Sequence, residues 1–79
     1  MDAVIYCRNG EAESQLMREY LGGLSIDCRM RAVDGDVTAM REWEELDGQV
    51  TPLLVLDDRR IVRGFNRARV DQLVGFIGC

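Results

Sequence analysis

The chain has no histidine, no lysine and a single proline, and only three of its 79 residues are cysteine. Without histidine there is no imidazole base, no imidazole metal ligand and no Ser-His or Cys-His nucleophile pair. Cys7, Cys28 and Cys79 are separated by 20 and 50 intervening residues, so neither a metal knuckle nor a CxxC pair exists anywhere in the chain. An odd number of cysteines argues against a disulfide framework. Zinc chemistry and acyl transfer are set aside on these grounds, and no metal site is expected. No apolar run approaches the ~18 residues of a membrane span. The opening Met1-Asp2-Ala3-Val4 lacks the basic start and long apolar stretch of a signal peptide. A cytoplasmic protein that avoids membranes is the expectation.

What is present describes one small globular domain spanning residues 1–79. Hydrophobic residues make up 47% and charged residues 30%, too apolar for a disordered chain. A chain this short buries roughly 60–65% of its unfolded surface, enough for one modest core. The formal charge of −4 disfavours nucleic acid as a partner. The charge is unevenly spread: residues 1–56 carry five Arg against eleven acids, residues 57–79 five Arg against three. The oligomeric state is left open.

Periodicity gives the order βαβαββα. Ala3-Val4-Ile5-Tyr6-Cys7 is an apolar, β-branched run suited to a strand buried on both faces, and Arg8-Asn9-Gly10 breaks it. From Glu11, apolar residues at 12, 16, 17, 20 and 21 form a helical stripe that Gly22-Gly23 ends. Ile26, Cys28, Met30 and Ala32 alternate with charged residues, as on an edge strand with one wet face. Asp36 is placed to cap a second helix that turns Val37, Met40, Trp43 and Leu46 inward. Leu53-Leu54-Val55-Leu56 reads as a second buried strand after Pro52, and Asp57-Asp58-Arg59-Arg60 turns it into Ile61-Val62. Asn66 can cap a last helix with Val70, Leu73, Val74 and Ile77 on one face. The alternating first half requires a parallel pair with a right-handed crossover, and the closing pair is a hairpin. A four-stranded mixed sheet with helices on both faces follows, a thioredoxin-type α/β sandwich.

The chain resembles the glutaredoxins from end to end. Val4-Ile5-Tyr6 is similar to their first strand, Tyr20-Leu21 to the aromatic-Leu pair closing their first helix, and Thr51-Pro52 to their Val-Pro, whose proline is cis. Gly64-Phe65-Asn66 followed by Arg69-Val70-Asp71-Gln72-Leu73 resembles the Gly-Phe segment and last helix of the redoxins that serve ribonucleotide reductase. The resemblance implies a disulfide oxidoreductase ancestry with a groove for glutathione or a thiol-containing peptide or protein, and no required cofactor. The departure lies at the active site. An ungapped match places the family's Cys-Pro-Tyr-Cys on Glu11-Ala12-Glu13-Ser14, so the nucleophile position is Glu11 and the resolving position Ser14. Dithiol chemistry is therefore not expected.

Several readings stay open. Glu11 and Glu13 put carboxylates in the field of a helix N-terminus, where negative charge gains about 0.3–1 kcal/mol. Glu11 can thus replace a thiolate electrostatically, or both acids can be ordinary first-turn residues, with Ser14 on the helix surface. Cys7, at a strand's C-terminal end, is either a displaced lone nucleophile that uses glutathione or a small core residue. Cys28 reads as core, and Cys79 as lacking a mechanistic role. By the resemblance, Arg8, Thr51, Pro52, Gly64, Phe65 and Asn66 line the groove, and the backbone of Thr51 pairs with a cysteinyl or peptide ligand. Phe65 stands where many glutathione-using members carry a second glycine, which points to the branch served by protein reductants. Arg8, Arg59, Arg60, Arg63, Arg67 and Arg69 form either a basic side or a solvated surface paired with Asp57, Asp58 and Asp71. A glutathione-transferase-like alternative, in which Tyr6 bonds a glutathione thiolate, needs a one-residue gap and lacks that family's helical second domain. The favoured reading is a groove-binding module, ahead of a Cys7 oxidoreductase and the Tyr6 alternative.

Overall fold

The computed structural model describes the backbone of residues 2–78 and the side chains of residues 2–74. Seven elements follow the expected order: β1 Ala3–Cys7, α1 Ala12–Gly23, β2 Cys28–Ala32, α2 Val37–Glu45, β3 Leu53–Leu56, β4 Arg60–Arg63 and α3 Arg67–Gly78. The sheet order is β2-β1-β3-β4. β1 and β2 are parallel, with Ala3 opposite Cys28 and Cys7 opposite Ala32. β1 and β3 are antiparallel, as are β3 and β4. The two runs that read as buried on both faces, Ala3–Cys7 and Leu53–Leu56, are the central strands and are buried throughout. The charged alternation of β2 does sit at an edge.

Side-chain alternation along the central strands divides the core in two. Ile5, Leu54 and Leu56 face α1 and α3, packing with Met17, Leu21, Val62 and Val70. Val4, Tyr6, Leu53 and Val55 face α2 and pack with Trp43 and Val33. Helices therefore cover both faces, as a sheet with two apolar sides requires.

Three local expectations are corrected. Leu16 is 52% exposed and Val37 76% exposed, although both were expected to face inward. Met17 and Leu21 fill the α1 side of the core with Tyr20 against it, and Ala39 and Trp43 the α2 side with Met40 and Leu46 against it, so Leu16 and Val37 fall at the margins of the helical stripes. Ser14, expected on the helix surface, is 1% exposed. Ile77 and Cys79 lie outside the residues whose side chains are described.

The caps form where the sequence placed them. Asp36 accepts the N–H groups of Thr38 at 2.9 Å and Ala39 at 3.3 Å, and Asn66 accepts that of Arg69 at 3.1 Å. Among the described residues no helix is long and apolar enough to cross a membrane.

Candidate functional site

Strand register gathers the candidate residues at one end of the sheet. Tyr6 lies opposite Leu53 and Leu53 opposite Arg63, so the chain leaving β1, the chain reaching β3 and the chain leaving β4 are neighbours. This brings Cys7 and Arg8, Thr51 and Pro52, and Gly64 to Asn66 around the first turn of α1. The Thr51–Pro52 peptide is cis. Gly64, at φ +75°, takes the left-handed turn that only glycine adopts without strain, and its N–H donates to the Pro52 carbonyl at 2.8 Å.

Glu11 occupies the N-cap position of α1, yet its side chain does not cap the helix. One carboxylate oxygen accepts the hydroxyl of Ser14, and the other accepts Thr51 Oγ1 at 2.7 Å. This partner allows Ser14 to be buried, since a buried hydroxyl without one would be penalised by about 1–3 kcal/mol. The bond to Thr51 ties the first turn of α1 to the turn before β3, across 40 positions. Glu13 makes a second crossing: its carboxylate accepts the Phe65 N–H at 2.9 Å, across 52 positions. Both first-turn acids are therefore cross-links of the groove rather than local helix caps. Residue types alone carry no signal for such pairings.

Cys7 is 7% exposed and packs in the core on the α1 side. Its thiol donates weakly to the Arg31 carbonyl at 3.6 Å. Burial pushes the thiol's pKa up, and the carboxylates of Glu11 and Asp34 push it further in the same direction. Cys28 is half-buried, with burial again raising its pKa. Proton uptake in the folded state stabilises the fold below the ordinary cysteine pKa, and this contribution is lost as pH rises through the folded value. The urea midpoint is therefore expected to fall as pH climbs above about 8.5. Peptide-resolved alkylation at pH 8 should label Cys7 at least about tenfold more slowly in the folded chain than in urea, a thiolate being the reactive form. Equal rates would show that the Cys7 thiol is open to solvent and ionised.

Tyr6 points to the other side of the sheet. Its hydroxyl donates to Glu42 at 3.1 Å, and Arg31 donates to the same carboxylate oxygen at 3.0 Å while also pairing with Asp36. Burial, then the Glu42 bond and charge, raise the Tyr6 pKa. Tyr6, Arg31 and Glu42, with Arg29 and Asp58, line a polar cleft of about 330 Å³ on the α2 face. The Tyr6 hydroxyl thus keeps its proton and is already engaged with Glu42, on the face opposite Cys7.

The arginines do not form one basic side. Arg8 lies over the Trp43 ring at 5.8 Å, and Arg67 over the rings of Tyr20 and Phe65 at 5.3 and 5.6 Å. Arg60 and Arg63 donate to the carbonyls of Leu73 and Leu46, and Arg69 to Gln72. Among the described residues, none of these arginines nor Arg59 pairs with Asp57, Asp58 or Asp71; the ion pairs are made by Arg29 and Arg31. The Tyr20 hydroxyl donates to Asp71 instead. No three Cys, Asp or Glu side chains converge as metal ligands among the described residues.

Sequence reasoning assigned Trp43 to the core, which is its place, but missed a second role. Its indole N–H donates to the Val50 carbonyl at 3.0 Å and so fastens the segment leading to Thr51.

No family model matches the chain. No curated protein matches it either. Solved structures do. The thioredoxin-like protein BC3987 is 23% identical with a TM-score of 0.79, covering 91% of this chain and 99% of its own. NrdH-redoxin from Escherichia coli, a glutaredoxin-like protein, is 20% identical with a TM-score of 0.78, covering 92% and 95%. The glutaredoxin from Archaeoglobus fulgidus is 16% identical with a TM-score of 0.74, covering 92% and 85%. With the sheet order and helix placement described above, these similarities show that the chain has the thioredoxin-like fold of the glutaredoxins.

Proposed function

We propose that this chain is a peptide-binding module on a glutaredoxin-type fold, without dithiol oxidoreductase chemistry and with no cofactor required. Its partner in the cytoplasm is a thiol-containing or other extended protein segment, held between α1, Thr51-Pro52 and Gly64-Phe65-Asn66. The observation that carries this reading is Glu11. The position at the α1 N-terminus that the sequence match gives to a nucleophile holds a carboxylate, engaged by Ser14 and Thr51. A carboxylate so placed keeps negative charge at the helix N-terminus but cannot form a mixed disulfide. Thr51 supports the binding half of the reading. Among the described residues neither its N–H nor its C=O has a backbone partner, leaving a short edge on which an extended peptide can add.

The rival readings have less support. A Cys7 nucleophile would have to work from the core with a raised pKa, and a Tyr6 thiolate site would have to break the bond to Glu42.

The test is selection of peptides from a random display library against the folded protein, followed by amide-shift mapping. Shifts are expected to concentrate at Glu11, Thr51 and Gly64. A Thr51→Trp variant should bind at least about tenfold more weakly, about 1.4 kcal/mol, while Cys7→Ser binds as the parent does. Selection of no peptide, or shifts confined to another face, would end the proposal. Turnover of a glutathione mixed disulfide that vanishes in Cys7→Ser would establish the oxidoreductase reading in its place.

A further inference from the structure

The Phe65 N–H is presented to α1 by the left-handed turn at Gly64, just before α3 begins. N–H groups at such a point attract anions, because they lack helical partners and lie in the positive field of the helix end. Here the anion comes from the chain itself: Glu13 Oε1 accepts that N–H at 2.9 Å. The same oxygen lies 4.0 Å from where a Cβ on Gly64 would stand, so the carboxylate sits directly in the turn. Several neighbouring donors are also used. Asn66 takes the Arg69 N–H, Glu11 takes the hydroxyls of Ser14 and Thr51, and the Arg67 guanidinium lies over aromatic rings.

We infer that Glu13 is an internal ligand that determines what the groove accepts: its carboxylate fills the Phe65 N–H and excludes partners that would place a carboxylate there. The inference rests on the groove reading above and specifies its partner, a segment that is neutral or cationic at the Phe65 end. Two effects act together. A tethered carboxylate competes at high effective concentration, so a free one must displace it from solution. A second anion beside Glu13 also meets a like charge.

Amide-shift titrations with reduced glutathione, which carries a γ-glutamyl carboxylate, and with cysteinylglycine, which lacks it, test the inference. In Glu13→Ala, reduced glutathione is expected to give saturable shifts at Phe65 and Asn66 at a concentration at least tenfold below that needed with the parent. Cysteinylglycine should show no such gain. Glu13→Gln, which keeps an acceptor but loses the charge, should show a smaller gain in the same direction and guards against misfolding of the alanine variant. If neither variant gains over the parent, or if cysteinylglycine gains equally, the inference is overturned. Failure of peptide selection at Thr51 would end the groove reading but leave the Phe65 result to stand separately.

Discussion

Replacing Glu11 and Ser14 together by cysteine is expected to turn this chain into a disulfide reductase. Glu11 is the N-cap of α1 and Ser14 lies one turn on, with their side chains already in contact. Residues three apart on a helix have Cβ atoms about 5–6 Å apart, close enough for a disulfide with a small adjustment. A thiol at Glu11 would sit in the field of the α1 N-terminus, with no side chain capping its first turn. Helix N-termini bring cysteine pKa values from about 8.5 down to about 3.5–7.5, which raises the thiolate fraction at pH 7 by about eightfold to thirtyfold. In dithiothreitol-driven insulin reduction, the double variant Glu11→Cys, Ser14→Cys should turn over at least about tenfold above the parent. Ser14→Cys alone should stay at background, since its thiol would be buried one turn inside the helix. A folded double variant with no turnover would mean that the groove has changed beyond its two missing sulfurs. It would then weigh against any recent descent from a redox protein.

The architecture was legible because it rests on local pattern. Apolar runs at Ala3–Cys7 and Leu53–Leu56 marked the central strands, and the charged alternation at Cys28–Ala32 marked an edge. Errors arose at the margins of the helical stripes. Leu16 and Met17 are adjacent, as are Val37 and the residues after it, and only packing against the sheet decides which of them turns inward. The proximity of the candidate residues was legible, and their wiring was not. Thr51, Pro52, Gly64 and Phe65 converge on Glu11 and Glu13 as the resemblance implied. The bonds from Glu11 to Thr51 and from Glu13 to Phe65 join residues 40 and 52 positions apart, and no periodicity encodes them. Ser14 shows the consequence: a serine in a helix reads as surface until its partner is known.

Trp43 links core and groove, and Trp43→Ala is expected to cost more than any groove substitution. The ring is 7% exposed among Val4, Tyr6, Leu53 and Val55, its indole N–H holds the Val50 carbonyl, and Arg8 lies over its face. Gly48 lies against the ring, where an added Cβ would stand 2.5 Å from it. Large-to-small changes of a buried Trp cost about 3–5 kcal/mol. A chain of this length has a total stability of about 4–12 kcal/mol at roughly 0.05–0.15 kcal/mol per residue. Trp43→Ala should therefore lose a quarter of its stability at the least and unfold at 25 °C at the most, read as the urea midpoint. Trp43→Phe separates the two roles. It keeps most of the apolar contact and removes one hydrogen bond worth about 1 kcal/mol, so the fold should persist. Amide exchange should nonetheless quicken at Gly64, whose N–H is held by the Pro52 carbonyl, because the segment carrying Pro52 has lost its fastening. If Trp43→Phe leaves Gly64 exchange unchanged while Trp43→Ala unfolds the chain, Trp43 serves the core alone. The geometry that presents Thr51 to Glu11 would then be set by the sheet register.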